Sequence, residues 1–236
     1  MSGGARLLAF AAGDPAWNMA VDEALVRAAS LPTLRLYGWS PPAISLGRFQ
    51  KASEPDVAEL LEAGLPVVRR MTGGGAIVHW HEVTYSLTVP EQHDLVSGST
   101  RESYAAIHAP IRRALENLGV RSEVRDVAGG TREPALCFHR ITSLDLVIGD
   151  LKLVGSAQRR TEGRVLQHGS IVLKQNPLQP GTADLESALG RSVEARDVVT
   201  ALVTEFSRVL PGLSPGDLDA SEQGIAEKVT STYRFS

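Results

Sequence analysis

Cysteine is nearly absent from this chain, since Cys137 is the only one among 236 residues. A lone cysteine cannot form a disulfide within the chain, and scarce cysteine is typical of a reducing compartment. Basic residues are not in surplus either, because 24 Lys and Arg stand against 27 Asp and Glu, a net charge of −3. Since a clustered basic surplus marks nucleic-acid binders, we expect no nucleic-acid partner.

Long apolar runs are also missing. The longest one near the start, residues 7–12, is far too short to cross a membrane. It also lacks the combination of a basic flank and a cleavage site that marks a secretion signal. We therefore expect a cytoplasmic protein with no membrane partner.

The remaining composition, 43% hydrophobic and 22% charged, is ordinary for a globular protein with a sizeable core. No repeat or linker divides the first 210 residues, so we expect one domain. Apolar periodicity predicts helices, several strands and a final short helix. The predicted helices lie near 15–29, 55–63 (capped by Ser53), 99–118 (kinked or started late by Pro110) and 193–210. The predicted strands lie at 33–38, 43–47, 65–70, 76–80, 83–89, 144–148, 151–154 and 164–173. Strands in the middle and helices at the ends predict an α+β fold with helices on a central sheet.

Cys137 precedes Lys152 by a segment that reads as strand, tight turn and strand. A lysine near a thiol favours the reactive thiolate, whereas a free cysteine in an apolar setting is usually a small buried hydrophobe. Because Leu151 and Leu153 alternate with Lys152, the lysine points away from their face, into solvent or into a cleft. The residues alone leave both interpretations of Cys137 open.

A glycine-rich segment, residues 69–75, connects two predicted strands. Glycines let backbone N–H groups approach a ligand closely, and the two arginines ahead of them suit a phosphate or a carboxylate. On the residues alone, a hairpin turn with solvated arginines is the favoured interpretation. His79 and His81 lie two apart on a predicted strand and so on one face, but no cluster of Cys, Asp or Glu accompanies them at typical ligand spacing, and we predict no metal site. By residue type, His79 and His168 are polar residues near a core.

Taken together, ordered blocks from about Trp17 to about Leu210 resemble the biotin/lipoate protein ligase superfamily. Within it they are closest to the octanoyltransferases of the LipM type. The blocks are NMAVDEA (18–24), LRLYGW (34–39), SLGRFQ (45–50), RRMTGGG (69–75) with His79, EVTYS (82–86), CF (137–138), KLVGSAQRR (152–160) and LQHGSI (166–171). Two positions depart from the family pattern: Met71 replaces a frequent proline, and Trp80-His81 replaces an acidic residue.

The resemblance implies a mixed central β-sheet flanked by helices, forming a single catalytic domain over 1–236 with its core at about 17–210. It implies that Cys137 accepts the acyl group and that Lys152 lowers the pKa of the thiol. It further implies an acyl-binding tunnel. The implied substrate-binding residues are Arg70, Gly73, Gly74, Gly75, His79, Gly155, Ser156, Ala157 and His168.

The function implied by the resemblance is octanoyl transfer in lipoate biosynthesis. The octanoyl group would pass from octanoyl-acyl carrier protein, through a cysteine thioester, to a lysine of a lipoyl-carrier domain such as the glycine-cleavage H protein or a dehydrogenase E2. This route needs no cofactor. Two alternatives stay open: an ATP-dependent lipoate–protein ligase, which would use ATP and Mg, and a silent relative that only binds a lipoyl domain.

Overall fold

The computed structural model describes residues 4–125 and 144–234, so Cys137 lies outside the described residues. The strands are β1 (Arg6–Gly13), β2 (Thr33–Trp39), β3 (Ala43–Leu46), β4 (Val67–Arg69), β5 (Ile77–His79), β6 (Glu82–Pro90), β7 (Glu123–Val124), β8 (Leu146–Ile148), β9 (Leu151–Thr161), β10 (Arg164–Val172) and β11 (Ser214–Gly216). The helices are α1 (Pro15–Ala28), α2 (Pro55–Leu61), α3 (Thr100–Asn117), α4 (Leu185–Leu189), α5 (Ala195–Phe206) and α6 (Ala220–Val229), followed by a 3-10 turn, Thr230–Tyr233.

The strands form a large sheet and a small one. The eight-stranded sheet has the order β11-β1-β2-β6-β10-β9-β8-β7, and the three-stranded sheet has the order β4-β3-β5. In the large sheet β1 runs parallel to β2 and β11, whereas the pairs around β6, β9 and β10 are antiparallel. The predicted α+β fold with a mixed central sheet is confirmed.

Strand β6 separates two cores by strict alternation, because successive side chains of a strand point to opposite faces. Val83, Tyr85 and Leu87 join the main core with α3 and α5. Thr84 and Ser86, on the other face, are also buried. That face belongs to the side of the sheet where β6 contacts α1. The polar face of β6 provides part of the site described below.

Helix α1 begins where the sequence predicts it. Asp14 accepts hydrogen bonds from the N–H groups of Ala16 and Trp17, and Pro15 occupies the first turn, where no N–H is needed. The capping box predicted for α3 is also present, because Ser99 and Glu102 each accept a hydrogen bond from the other's backbone N–H. Pro110 lies inside α3, which starts at Thr100, so the helix does not start late.

Other predicted local features are wrong. Helix α2 is capped at Glu54 and not at Ser53, and Glu54 makes no side-chain capping bond. β5 ends at His79, and His81 lies in the following turn with a φ of 57°, so these two histidines do not share a strand face. The short helix predicted in the tail is present as α6, and the unpredicted strand β11 precedes it. Within residues 4–125 and 144–234, no helix is both long and apolar enough to span a membrane.

Candidate active site

A cavity with about 340 Å³ of empty space lies between the two sheets and α1. Six of the residues implied by the resemblance line it: Arg70, His79, Gly155, Ser156, Ala157 and His168. They come from three separate parts of the chain, the loop after β4 with β5, the middle of β9, and β10. The fold therefore brings these six together around one space.

Arg70 fixes the glycine-rich loop. Its guanidinium donates to the Ser45 carbonyl (2.9 Å) and to the carbonyls of Gly73 (2.9 Å) and Gly75 (2.7 Å). Because β4 and β5 both pair with β3 and not with each other, the loop crosses the end of β3. The hairpin turn with solvated arginines is thus wrong, since Arg70 is 3% exposed.

The loop also needs glycine at its contact with the end of β3. A Cβ on Gly47 would lie 2.0 Å from the carbonyl oxygen of Gly74, so only a glycine fits there. Among the described residues, Gly73, Gly74 and Gly75 do not line the cavity. They support it as acceptors for Arg70 and as the packing surface of Gly47.

His79 forms one wall of the cavity together with Trp39. The two rings stack with their centroids 3.7 Å apart. Nδ1 of His79 lies 2.8 Å from Oε1 of Glu82, and Nε2 lies 2.7 Å from the Ser45 hydroxyl. Burial lowers the pKa of His79, although Glu82 acts in the opposite direction. The ring is therefore neutral at pH 7, with both nitrogens engaged.

Glu82 is the carboxylate that orients this wall. Burial by itself raises its pKa, but the His79 ring and the hydroxyls of Ser170 and Thr84 outweigh burial and hold the pKa below its ordinary value. Both hydroxyls donate to Glu82, and Thr84 also accepts a hydrogen bond from the Trp39 indole at 2.9 Å. Glu82 thus links the polar face of β6 to the cavity wall.

His168, on β10, is held in a similar way. Its Nδ1 lies 3.0 Å from Oδ2 of Asp22, and its Nε2 lies 2.7 Å from the Thr72 hydroxyl. Arg35 pairs with Asp22 at 3.0 Å. Burial acts to raise the pKa of Asp22, but His168 and Arg35 lower it overall. This buried cluster connects α1 to β10 and to the glycine-rich loop.

Lys152 lies on β9, three residues before the cavity-lining Gly155. It is 2% exposed, and its Nζ lies 2.8 Å from Oδ2 of Asp145, which is 1% exposed. Of the two orientations that the sequence left open, the lysine therefore does not point into solvent. A charged lysine in such a setting needs its carboxylate partner, because an isolated buried charge is costly.

A chain of hydrogen bonds runs behind the cavity from His108 on α3. The Ser156 hydroxyl lies 2.8 Å from Nε2 of His108 and 2.7 Å from the Tyr85 hydroxyl, which in turn accepts from Gln167 at 3.0 Å. Burial lowers the pKa of His108 to about 4, a hydrogen bond to the backbone of Leu144 opposes this, and the charge of Lys152 lowers it further.

Because His108 is neutral, the donor and the acceptor of each hydrogen bond in this series can be assigned. The bond to Leu144 favours the protonated ring, so it runs from a ring N–H to the carbonyl, which leaves Nε2 as an acceptor. Ser156 then donates to His108 and accepts from Tyr85. Gly169 completes the packing, because a Cβ there would lie 2.4 Å from the Ser156 hydroxyl oxygen. Ser156 is therefore held in one orientation beside the cavity.

Sequence reasoning missed several residues of the site. The unpredicted cavity residues are Met19, Tyr37, Trp39, Ser45, Ile77, Thr84, Gly169 and Ser170. His108 and Asp145 were missed behind the cavity. A signal existed for Glu82, since it follows His79 by three residues, but it was not used. Over residues 4–125 and 144–234, no group of three or more His, Cys, Asp or Glu is arranged to hold a metal ion.

Comparison with known proteins extends over nearly the whole chain. The profile of the lipoyl protein ligase A/B catalytic domain matches residues 14–210. Octanoyltransferase LipM of Moorella thermoacetica is 39% identical over 258 aligned residues, which cover 97% of this chain and 94% of that protein. Octanoyltransferase LipM of Kyrpidia tusciae is 38% identical over 261 residues, which cover 97% and 95%.

Two solved structures share the fold. Lipoate-protein ligase A bound with ATP superimposes with a TM-score of 0.79 at 20% identity, covering 97% of this chain and 94% of that one. A bipartite lipoate protein ligase of Thermoplasma acidophilum, described with its E2 lipoyl domain, gives a TM-score of 0.73 at 20% identity, covering 98% and 93%. With the profile match and the LipM relatives, the conclusion is that the chain belongs to the family of lipoyl protein ligase A/B catalytic domains.

Proposed function

We propose that this protein transfers an octanoyl group from octanoyl-acyl carrier protein, through a thioester on Cys137, to a lysine of a lipoyl-carrier domain. The activity is protein N-octanoyl transfer in lipoate biosynthesis, since the relatives named octanoyltransferase are 38–39% identical over nearly the full length. The thioester on Cys137, the carriers, the absence of a cofactor requirement and a cytoplasmic location are parts of the proposal. The acceptor is a domain such as the glycine-cleavage H protein or a dehydrogenase E2.

The observation that carries the mechanism is the buried cation of Lys152 next to the cavity. A thiol with an ordinary pKa of about 8.5 is only about 3% ionised at pH 7, and a nearby cation raises that fraction nearly tenfold for each unit of pKa decrease. Because Asp145 pairs with Lys152 at 2.8 Å, the two charges largely cancel at a distance. The proposal therefore requires the sulfur of Cys137 to lie on the Nζ side of this pair.

In the first step, the Cys137 thiolate attacks the carbonyl carbon of the octanoyl thioester. A new carbon–sulfur bond forms to Cys137, the bond to the carrier's sulfur breaks, and the carrier leaves as a thiolate that takes up a proton. One thioester replaces another, so the acyl group stays activated and no ATP is needed.

In the second step, the neutral amine of the target lysine attacks the acyl-enzyme. The amide bond forms, the bond to the sulfur of Cys137 breaks, and the proton lost by the amine balances the charge of the released thiolate. During both steps the cavity holds the octanoyl chain between the His79 wall and the segment Gly155–Ala157, and the fixed hydrogen bonds of these residues keep its shape constant.

An ATP-dependent lipoate–protein ligase is the second candidate, favoured by the shared fold with lipoate-protein ligase A bound with ATP. In that reaction Cys137 has no chemical role, and carrier modification requires lipoate and Mg-ATP. A silent lipoyl-domain-binding relative would form no acyl adduct at all.

Intact-mass measurement of the protein mixed with octanoyl-acyl carrier protein, without ATP, distinguishes the transferase, the ligase and the silent relative. We expect one octanoyl group on the wild type, none on Cys137→Ala, and transfer of the group to an added lipoyl-carrier domain. A Cys137→Ala protein that octanoylates the carrier domain at the wild-type rate would contradict the mechanism. Modification that appears only with lipoate and ATP would establish the ligase.

A further inference from the structure

A second concavity adjoins the cavity at Arg70. It is a groove with about 830 Å³ of empty space, and Arg70 lines both it and the cavity. We call it the basic groove, after its five arginines. These are Arg27, Arg48, Arg69, Arg70 and Arg159. Arg70 is therefore a wall residue of both spaces.

The charge of the basic groove is opposite to that of the chain. Among the described residues that line it, five arginines face two carboxylates, Glu23 and Glu162, which leaves a local surplus of three positive charges on a chain whose net charge is −3. Glu23 is already paired with Arg27. Glu162 makes no ion pair with any residue that the structure describes. Concentrated positive charge in a concave surface attracts anions.

Two of these arginines carry charge that no carboxylate offsets within the described part of the chain. Arg159 donates to the carbonyl oxygen of Met71 at 2.7 Å, and a carbonyl does not neutralise a guanidinium. Arg48 is exposed, with its guanidinium carbon 5.6 Å from the ring centroid of Phe49, which is itself 80% exposed. Both side chains are available to an anionic ligand in the groove.

We propose that the basic groove binds the phosphodiester of the phosphopantetheine arm of the acyl carrier protein, with Arg48 and Arg159 as phosphate ligands. This inference rests on the proposed function, which places the acyl end of that arm in the cavity. The phosphodiester lies at the opposite end of the arm from the thioester, so the anion must sit outside the cavity, along the path by which the arm leaves. The planar fork of arginine matches phosphate oxygens in pairs.

Binding of the carrier with and without its arm tests the groove independently of catalysis. Titration calorimetry with holo-carrier and with apo-carrier, which lacks the arm, is carried out on wild type, Arg48→Ala and Arg196→Ala. Arg196 is an exposed arginine of α5, a helix packed on α3, and serves as the matched control. We expect wild type and Arg196→Ala to bind the holo form more tightly than the apo form. Arg48→Ala should lose about fivefold in affinity for the holo form and nothing for the apo form, which is the size of effect expected for one partly exposed ion pair.

Acylation by small donors separates the phosphate from the protein surface of the carrier. The rate of octanoyl adduct formation is compared for octanoyl-4′-phosphopantetheine and octanoyl-pantetheine, which differ only in the phosphate. We expect the phosphorylated donor to react faster with wild type, and this advantage to disappear in Arg48→Ala and to decline with added salt. Arg48→Lys keeps the charge without the fork, so we expect it to retain part of the advantage.

Several results would overturn this assignment. One is equal binding of holo- and apo-carrier by the wild type. Another is an Arg48→Ala defect that appears with the whole carrier but not with octanoyl-4′-phosphopantetheine, which would assign the groove to the carrier's protein surface. A defect confined to transfer onto the lipoyl-carrier domain would assign it to the acceptor. If the wild type forms no octanoyl adduct yet binds the arm through Arg48, the proposed function fails and the phosphate site stands.

Discussion

The buried histidines around the cavity are held in two different ways. His79 and His168 each have a carboxylate at Nδ1 and a hydroxyl at Nε2. His108 has the Leu144 backbone and the Ser156 hydroxyl instead, and the charge that acts on it is that of Lys152. The first arrangement builds a wall in which each ring is fixed by hydrogen bonds to a carboxylate and a hydroxyl. The second keeps an imidazole neutral beside a lysine.

This difference separates residues that shape the cavity from residues that set its charge. The carboxylates of Glu82 and Asp22 are held by hydrogen bonds inside their own clusters, and Asp22 also pairs with Arg35. The charge of Lys152, which pairs with Asp145, acts on His108, and a neutral imidazole adds no competing cation there. We expect substitutions on the wall to act mainly on stability and substitutions around Lys152 to act on the chemistry.

Lys152→Met should have the largest effect, because it removes the buried cation and takes away the ammonium group that pairs with Asp145 at 2.8 Å. We expect a loss of about 3–5 kcal/mol in the free energy of unfolding. Adduct formation with octanoyl-acyl carrier protein should fall by up to about 30-fold at pH 7, since the thiol of Cys137 returns toward its ordinary pKa, at which only about 3% of it is ionised. Denaturant melts and intact-mass kinetics measure the two effects.

The double variant Asp145→Asn/Lys152→Met separates the two roles of Lys152. A neutral pair carries no uncompensated charge, so most of the stability should return while acylation stays slow. In the single variant, acylation should also recover at high pH, where the thiol ionises without help. Recovery of acylation at pH 7 in the double variant would show that Lys152 acts only on the fold.

Asp22→Asn should have the next largest effect, on the wall. It leaves the buried guanidinium of Arg35 without a charged partner and weakens the hold on His168, which should cost about 3 kcal/mol in the free energy of unfolding. Asp150→Asn is the matched control, since that side chain is 93% exposed. If the wall only shapes the cavity, variant protein that remains folded should acylate Cys137 within a fewfold of the wild-type rate.

His108→Gln should reduce the dependence of stability on pH. The pKa of His108 is about 4 in the folded protein against an ordinary 6.5, so the unfolded chain binds more protons between these values. The stability that this residue contributes is therefore complete above pH 6.5, declines as pH falls, and is lost below about pH 4. Between pH 7.5 and pH 5, wild type should lose about 2 kcal/mol more than His108→Gln.

Denaturant midpoints of both proteins at these two pH values measure this difference. All other titratable groups are the same in both proteins, so their contribution to the pH dependence cancels in the comparison. An equal acid-side decline in the two proteins would mean that His108 is not the neutral histidine described above.

Local sequence patterns predicted most elements of the fold but not how the site is completed. The helix starts at Asp14-Pro15 and Ser99 were predictable because a cap acts within one turn. β11 was not, because Ser214–Gly216 has no strand propensity and is a strand only through its parallel pairing with β1, more than 200 residues away. Its partner β1 was noticed only as an apolar run too short for a membrane.

The ordered blocks provided six of the fourteen cavity residues because they were compared as a set. Their partners lay outside the blocks or depended on geometry. Asp145 precedes β8 and reaches Lys152 only when the hairpin closes, and His108 lies on a helix whose amphipathic pattern predicts burial but no partner. The prediction that Cys137 is the nucleophile depends on residues outside the described ranges and stays a prediction.

The smallest effect is expected at Ala157, where the octanoyl chain contacts the side of the cavity opposite His79. Ala157 lines the cavity, and Ala157→Leu would fill space that the octanoyl chain needs. We expect the ratio of acylation rates for octanoyl over hexanoyl donors to fall about tenfold, since each buried methylene is worth about 0.8 kcal/mol. Ala9→Leu, at an exposed position of β1, is the size-matched control and should leave the ratio unchanged. An unchanged ratio in Ala157→Leu would place the acyl chain outside the cavity. The cavity would then have no part in the acylation that the Lys152 variants measure.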